Sequence, residues 1–163
     1  MIVINVNGVP APQGSKRAYV SKTGRAVVVE QSGKVAPWRE AVRQQTQEAL
    51  EHTMSGQRWA RECLTFPIEV TVHFWLERPR GHYGTGRNAA QVRPSAPLRP
   101  ASAPDLDKLI RSTLDGLTMG GAFCDDRQVV SISAHKWYAV GSRRPGCMIS
   151  LEAQGAEDYR EAV

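Results

Sequence analysis

Five aspartates stand between positions 105 and 126 of this 163-residue sequence. Asp105 and Asp107 lie in Pro104-Asp105-Leu106-Asp107-Lys108-Leu109-Ile110-Arg111, Asp115 follows, and Asp125-Asp126 close the group. Carboxylates in such a group suit two different jobs. Beside a helix start they cap free N–H groups and favour the positive end of the helix dipole. On that reading Asp105 is an N-cap and Asp107 a first-turn acid. If instead the carboxylates converge, they repel one another and raise each other's pKa unless a cation compensates. Oxygen-only ligands with open positions suit Mg²⁺, which keeps several waters and accepts phosphate oxygens.

Geometry limits the second job. Residues two apart on a helix point about 200° apart around its axis, so Asp105 and Asp107 converge only if Asp105 is still extended. Pro104 biases Ala103 away from helix, which puts Asp105 at an extended-to-helical junction and Asp107 just inside. Asp107, Arg111 and Asp115 then share one helical stripe. Asp125-Asp126 lies near the other end of that helix, and residues 119–124 are too few to carry it back. A sheet-neighbour relation, or a supercoiled approach, must supply the rest. In an extended segment only one of Asp125 and Asp126 reaches a shared site.

The elements that position these acids follow from residue pattern. Ile2–Val6 is β-rich and ends at Gly8 and Pro10, a strand. Pro12-Gln13-Gly14-Ser15-Lys16-Arg17 reads as a basic loop. Residues 18–20 and 26–29 flank Ser21-Lys22-Thr23-Gly24-Arg25, a hairpin. From Pro37 the spacing predicts a helix that fades between His52 and Gly56. Pro67–Leu76 alternates as a half-buried strand. Residues 79–103 are rich in Pro, Gly and Arg without periodicity and read as a long basic loop. Leu106, Leu109, Ile110, Thr113, Leu114 and Leu117 mark an amphipathic helix stopped by Gly120-Gly121. Val129–Tyr138 and Gly146–Leu151 read as strands. The expected class is α+β, a single domain over residues 1–156 with a mixed sheet and about two packed helices. Residues 157–163 read as a frayed acidic tail.

Composition bounds the function. The chain carries 21 Lys/Arg against 16 Asp/Glu, with pI near 9.4. Residues 1–45 hold seven basic and two acidic side chains, and residues 78–104 hold five Arg and no acid. Between these blocks, residues 105–127 carry five Asp against three basic residues. A basic field attracts polyanions, but carboxylates repel phosphate, and a bridging divalent cation removes that conflict. Cys63, Cys124 and Cys147 form no CxxC pair and argue against a disulfide framework or a four-ligand zinc site. His52, His73, His82 and His135 lack metal-ligand spacing and read as surface or packing residues. No Ser-His-Asp order, Walker loop or GxGxxG is present, so no nucleotide cofactor is expected. Met1–Asn5 lacks the pattern of a signal peptide and no run approaches the roughly 18 apolar residues of a membrane span, so a cytoplasmic location is expected. Trp38, Trp59, Trp75 and Trp137 read as core or dimer-contact aromatics, with stacking of one of them or Tyr83 on an unpaired base as the alternative. Phe123 reads as core.

Three motifs in order, Asp105-Leu106-Asp107-Lys108-Leu109, Leu114-Asp115-Gly116-Leu117-Thr118 and Asp125-Asp126-Arg127-Gln128-Val129-Val130, resemble the RusA family of Holliday junction resolvases. The Pro12–Arg17 segment looks like the form in phage and prophage members, which implies a phage-encoded protein acting in the host cytoplasm. The resemblance implies a homodimeric endodeoxyribonuclease that resolves four-way DNA junctions by paired nicks in recombination and repair. Its implied cofactor is Mg²⁺, with Mn²⁺ as a possible substitute. By position, Asp105, Asp107 and Asp126 match the family's catalytic, metal-holding acids, and Asp125 matches the neighbouring acid. Arg111 stands where the best-known members have a catalytic Lys. Arg cannot give up a proton at neutral pH, but it can hold phosphate or transition-state charge, and Lys108, one turn away, is a candidate for the same work. Lys136 falls where the family often has a strand lysine, against an alternative role as a solvated strand residue. Lys16, Arg17, Lys22, Arg25, Arg80, Arg87 and Lys136 are the candidate DNA contacts. The alternatives are a flap or fork nuclease, and an inactive DNA-binding scaffold of the same fold.

The charge blocks make one expectation measurable. Raising salt from about 50 to 200 mM should weaken DNA binding by orders of magnitude if six or more phosphates are contacted. A flat salt response in an anisotropy titration would refute the assignment of the basic blocks to DNA.

Overall fold

A computed structural model describes residues 1–14, 16–20, 23–30, 33–62 and 66–154 of the chain. Lys22, Cys63 and the expected tail at 157–163 lie outside the described residues.

Four strands build the main sheet in the order β1-β6-β4-β5: β1 (Ile2–Asn7), β4 (Ile68–Leu76), β5 (Val129–Tyr138) and β6 (Gly146–Ala153). β6 runs antiparallel to both β1 and β4, whereas β4 and β5 are parallel, so the sheet is mixed as expected. A parallel pair needs a crossover. It is supplied by the 79–104 loop and α3 (Leu106–Gly120). The strands β2 (Lys16–Val20) and β3 (Ala26–Glu30) form a separate hairpin. Lys16 and Arg17 therefore open a strand rather than lying in a loop, because the ladder extends to the Lys16–Glu30 pair.

Alternation along β4 makes one sheet face apolar. Ile68, Val70, Val72, Phe74 and Leu76 are buried, with Ile2, Ile4, Val6, Ile149 and Leu151 from the neighbouring strands. Trp38 and Val42 of α1 (Val35–His52) and Leu109 and Leu117 of α3 pack into the same cluster. Among the described residues the expected pair of helices is in fact three. Thr53 breaks α1 with an extended ψ of 146°, and α2 (Met54–Glu62) begins at once. The Thr53 hydroxyl accepts the Gly56 N–H at 2.9 Å, a cap that restarts the helix. Gly56, where the sequence predicts that the first helix has faded, lies inside α2. It is required for close approach, since a Cβ there would stand 2.0 Å from the Ala49 carbonyl oxygen. α2 contributes Trp59, buried, whose indole N–H donates to the Ala122 carbonyl at 2.7 Å.

α1 and α3 touch through glycine. A Cβ on Gly116 would lie 2.7 Å from the Val42 Cβ, and one on Gly120 would lie 2.6 Å from the Thr46 Cβ. Gly120 is thus part of the helix contact, and Gly121, in the left-handed region at φ 82°, makes the stop. The Trp38 indole N–H crosses the same seam to the Thr113 hydroxyl at 3.2 Å.

Loop 79–104 is held by Arg78, just past the end of β4, and by Tyr138 of β5. Arg78, 9% exposed, donates to the Pro97 carbonyl at 3.0 Å and lies over the Tyr138 ring. His82 meets the edge of the same ring, and Tyr83 bridges to Val92.

Gly116→Ala forces α1 and α3 apart or displaces Val42, so it should lower stability by about 1–3 kcal/mol. A thermal melt unchanged from that of the unmutated chain would refute glycine-dependent packing of the two helices.

Candidate active site

Asp105 occupies the junction expected of it. Its backbone is extended (φ −66°, ψ 137°) and the helix starts at the next residue. Its carboxylate makes no capping hydrogen bond. It pairs instead with the Lys108 ammonium at 2.7 Å, and both groups are about half exposed. The Lys108 hydrogen bond and charge hold the Asp105 carboxyl below the usual carboxylate range and push Lys108 up. Asp107 stands exposed in the first turn, and Arg111 is exposed one turn later.

Two outlying segments are tied to this end of α3. Lys136 donates from Nζ to the Ser102 carbonyl at 3.0 Å and the Pro104 carbonyl at 2.8 Å. It therefore clamps the backbone that leads into Asp105, a role distinct from the DNA contact expected of it. The Gln13 N–H donates to the Lys108 carbonyl at 3.0 Å, and the Ser112 hydroxyl donates to the Ala11 carbonyl at 2.7 Å. The Pro12-Gln13-Gly14 segment thus lies against the start of α3.

Asp125 and Asp126 sit at the opposite end. The Asp125 side chain accepts the Arg127 N–H at 3.0 Å and also the Gln128 backbone N–H, while the Gln128 side-chain oxygen accepts the Asp125 N–H at 3.1 Å, so Asp125 and Gln128 form a reciprocal capping box. The Arg127 N–H bond, with the Arg127 charge, lowers the Asp125 pKa. Asp125 is thereby used by the turn, and Asp126 is exposed. Both line a cavity of about 390 Å³ with Asp115 and Arg39. Arg39 and Asp115 are bridged at 2.7 Å. Reasoning from sequence missed Arg39, because only the glycine seam between α1 and α3 brings it there.

The three acids matched to the family's site are therefore not gathered within one chain. A 15-residue helix separates its ends by about 20 Å at 1.5 Å per residue. Among the described residues no group of three His, Cys, Asp or Glu side chains is placed to hold a metal ion. The donor chemistry still fits Mg²⁺ in part: Asp105 and Asp107 are exposed carboxylates at a helix junction, and this ion is often held by one or two carboxylates plus phosphate oxygens.

Arg80 and Arg87 are exposed on the long loop, Arg25 is exposed beside the hairpin turn, and Lys16 and Arg17 begin β2. Cys124 is exposed and Cys147 is buried, its thiol pushed well up by burial. No helix among the described residues is long and apolar enough to cross a membrane.

The model of one sequence family, described as endodeoxyribonuclease RusA, matches residues 10–152. No curated protein matches the chain.

Because Lys108 is the main cause of the low Asp105 pKa, Lys108→Met should return that carboxyl upward toward the ordinary Asp range. A carboxyl-carbon NMR titration reads this directly, and an unmoved Asp105 would refute the pairing.

Proposed function

The chain belongs to the RusA endodeoxyribonuclease family, and from that premise we propose that it is a Mg²⁺-dependent enzyme that nicks four-way DNA junctions as a homodimer. The observation that carries the dimeric reading is the separation of the acids along α3. A site that one chain leaves open at both ends of a rod is completed by a two-fold axis across the middle of that rod.

The surface suited to such an axis is present. About half a turn around α3 from Gly116, Ile110 and Leu114 are only half buried, beside Asp107 and Arg111. On the same side of the sheet, β5 exposes Val130 (57%) and Ile132 (42%). Among the described strands β5 pairs only with β4, so its outer edge is open. Long apolar edges of this kind are ordinarily covered. An isologous contact there runs two copies of β5 and α3 in opposite directions. The partner's Asp126 then approaches Asp105 and Asp107, twice over by symmetry. A four-way junction has near two-fold symmetry of its own, so two such sites match two strands of like polarity.

Each residue has a task in this reading. Asp105, Asp107 and the partner's Asp126 would hold the cation, with Asp125 fixing the turn that presents Asp126. A divalent ion bound there supplies Lewis-acid stabilisation of the phosphate and a water of lowered pKa. Lys108 and Lys136 set the position of Asp105, through its carboxylate and its backbone respectively. Arg111, always charged and exposed one turn from Asp107, binds a non-bridging phosphate oxygen and offsets charge developing in the transition state. The basic residues of β2, the hairpin turn and the long loop grip the duplex arms.

Asp107→Asn and Asp126→Asn should each abolish Mg²⁺-dependent nicking of a mobile junction while keeping or improving binding, since a charge facing phosphate is removed. Co-refolding the two variants in equal amounts should restore about a quarter of the competent sites, because half of the dimers are mixed and each has one intact site. No recovery on mixing would exclude a site shared between subunits. Equal cutting of linear duplex would exclude junction specificity, and collapse of binding would mark the aspartates as structural.

A further inference from the structure

The helices cover one face of the main sheet. The other face carries an array of rings that the nuclease site does not use. On β4, His73 and Trp75 alternate with the buried residues, and on the parallel neighbour β5 their register partners are His135 and Trp137. The two histidine rings stack at 5.1 Å with 16° between planes, and His73 and Trp75 lie 6.1 Å apart at 29°. The Trp137 indole N–H donates to His73 Nδ1 at 3.4 Å. All four are half buried. Burial, with the nearby His135, lowers the His73 pKa, which favours a neutral ring at neutral pH.

Charge on this face is polarised. The Arg99 guanidinium lies 4.0 Å over the Trp137 ring and the Arg143 guanidinium 3.7 Å over the Trp75 ring. Beside Trp75 a cleft of about 300 Å³ is lined by Asn5, Asn7, Arg143 and Arg144. The acids Glu69 and Glu152 are register partners at the far end of β4. Trp137 follows Lys136 on β5, and Lys136 holds the Pro104 carbonyl, so the aromatic end is the Asp105 end of the molecule. Flat aromatics with arginines on an open sheet are the features by which sheets bind single strands: bases stack on the rings and guanidinium groups meet phosphates. Duplex DNA keeps its base faces covered and cannot use such a platform.

From this juxtaposition we propose that the Trp75–Trp137 face binds a single-stranded stretch of DNA, with bases on the two indoles and phosphates at Arg143 and Arg144. The inference rests on the nuclease reading for its choice of DNA. It deepens that reading by assigning a site for strand that unpairs at a branch point. Arg99 and Arg143 leave the rings as bases arrive and turn to the backbone. A second copy of this chain is the poorer occupant, because the face is rich in Ser, Thr and Asn, and a two-fold contact brings like guanidinium groups together.

The test uses the full chain in EDTA with a labelled 15-nucleotide dT strand and a duplex of equal length, read by anisotropy at several salt concentrations. The unmutated protein should bind the dT strand. Trp75→Ala and Trp137→Ala should each weaken that binding about tenfold, with duplex affinity changed less than about twofold. Trp137→Phe should keep most of it. Arg143→Ala, a surface change that leaves the rings in place, should weaken dT binding and reduce its salt slope by about one. Absence of dT binding, equal loss on both DNAs, or a sedimentation shift in the tryptophan variants would overturn the proposal, the last by assigning the face to a second copy. The two readings fail separately. An unmutated chain that binds dT in EDTA but does not nick junctions with Mg²⁺ removes the nuclease reading and leaves this site intact, and tryptophan variants that nick junctions with unchanged dT binding remove this site alone.

Discussion

A helix is stiff on the scale of a domain, and α3 carries Asp105 and Asp107 at one end while the chain delivers Asp126 beyond the other. Fifteen residues keep these ends about 20 Å apart whatever the side chains prefer. The rest of the molecule is arranged around that rod. Both ends are held in place, one by Lys136 and Lys108, the other by the Asp125–Gln128 capping box. Neither end alone has the ligands of a closed metal site. The proposed symmetric assembly rests on that incompleteness: antiparallel rods in it would exchange the acids that each lacks.

The position of the rod depends on glycine. Gly116 and Gly120 let α3 lie directly on Val42 and Thr46 of α1, and that close seam brings Arg39 to Asp115. The neighbouring carboxylates Asp125 and Asp126 share the resulting cavity with an ion pair rather than with other free acids. On its other flank α3 is covered incompletely, with Ile110 and Leu114 half buried and β5 open at its edge. One flank is thus committed to the core and the other is left partly uncovered.

The two faces of the sheet differ as sharply. Alternation in β4 sends Val70, Val72 and Phe74 into the core and His73 and Trp75 outward. The outward rings gain partners only because β4 and β5 are parallel and in register, which sets Trp75 beside Trp137. Lys136 and Trp137 then work on opposite sides of one strand. The first holds the approach to Asp105, and the second contributes to the aromatic face.

Local pattern was enough for much of this. The strands at 2–6, 67–76 and 129–138 were legible from alternation and β-branched content, because a half-buried strand imposes that period. The α3 helix and its glycine stop were legible for the same kind of reason, as was Asp105 at an extended junction. The motifs around the aspartates identified the family, since residue type and order along the chain suffice for that. The second helix was missed because Gly56 looks like a terminator until its contact with Ala49 is seen. Lys136 as a backbone clamp, Arg39 at Asp115 and the paired indoles all join residues far apart in sequence, and no local period encodes such meetings. Most of all, spacing along the chain could not say whether the three acids meet. That was decided by the crossover, which lays β5 back along α3 and leaves the acids at opposite ends.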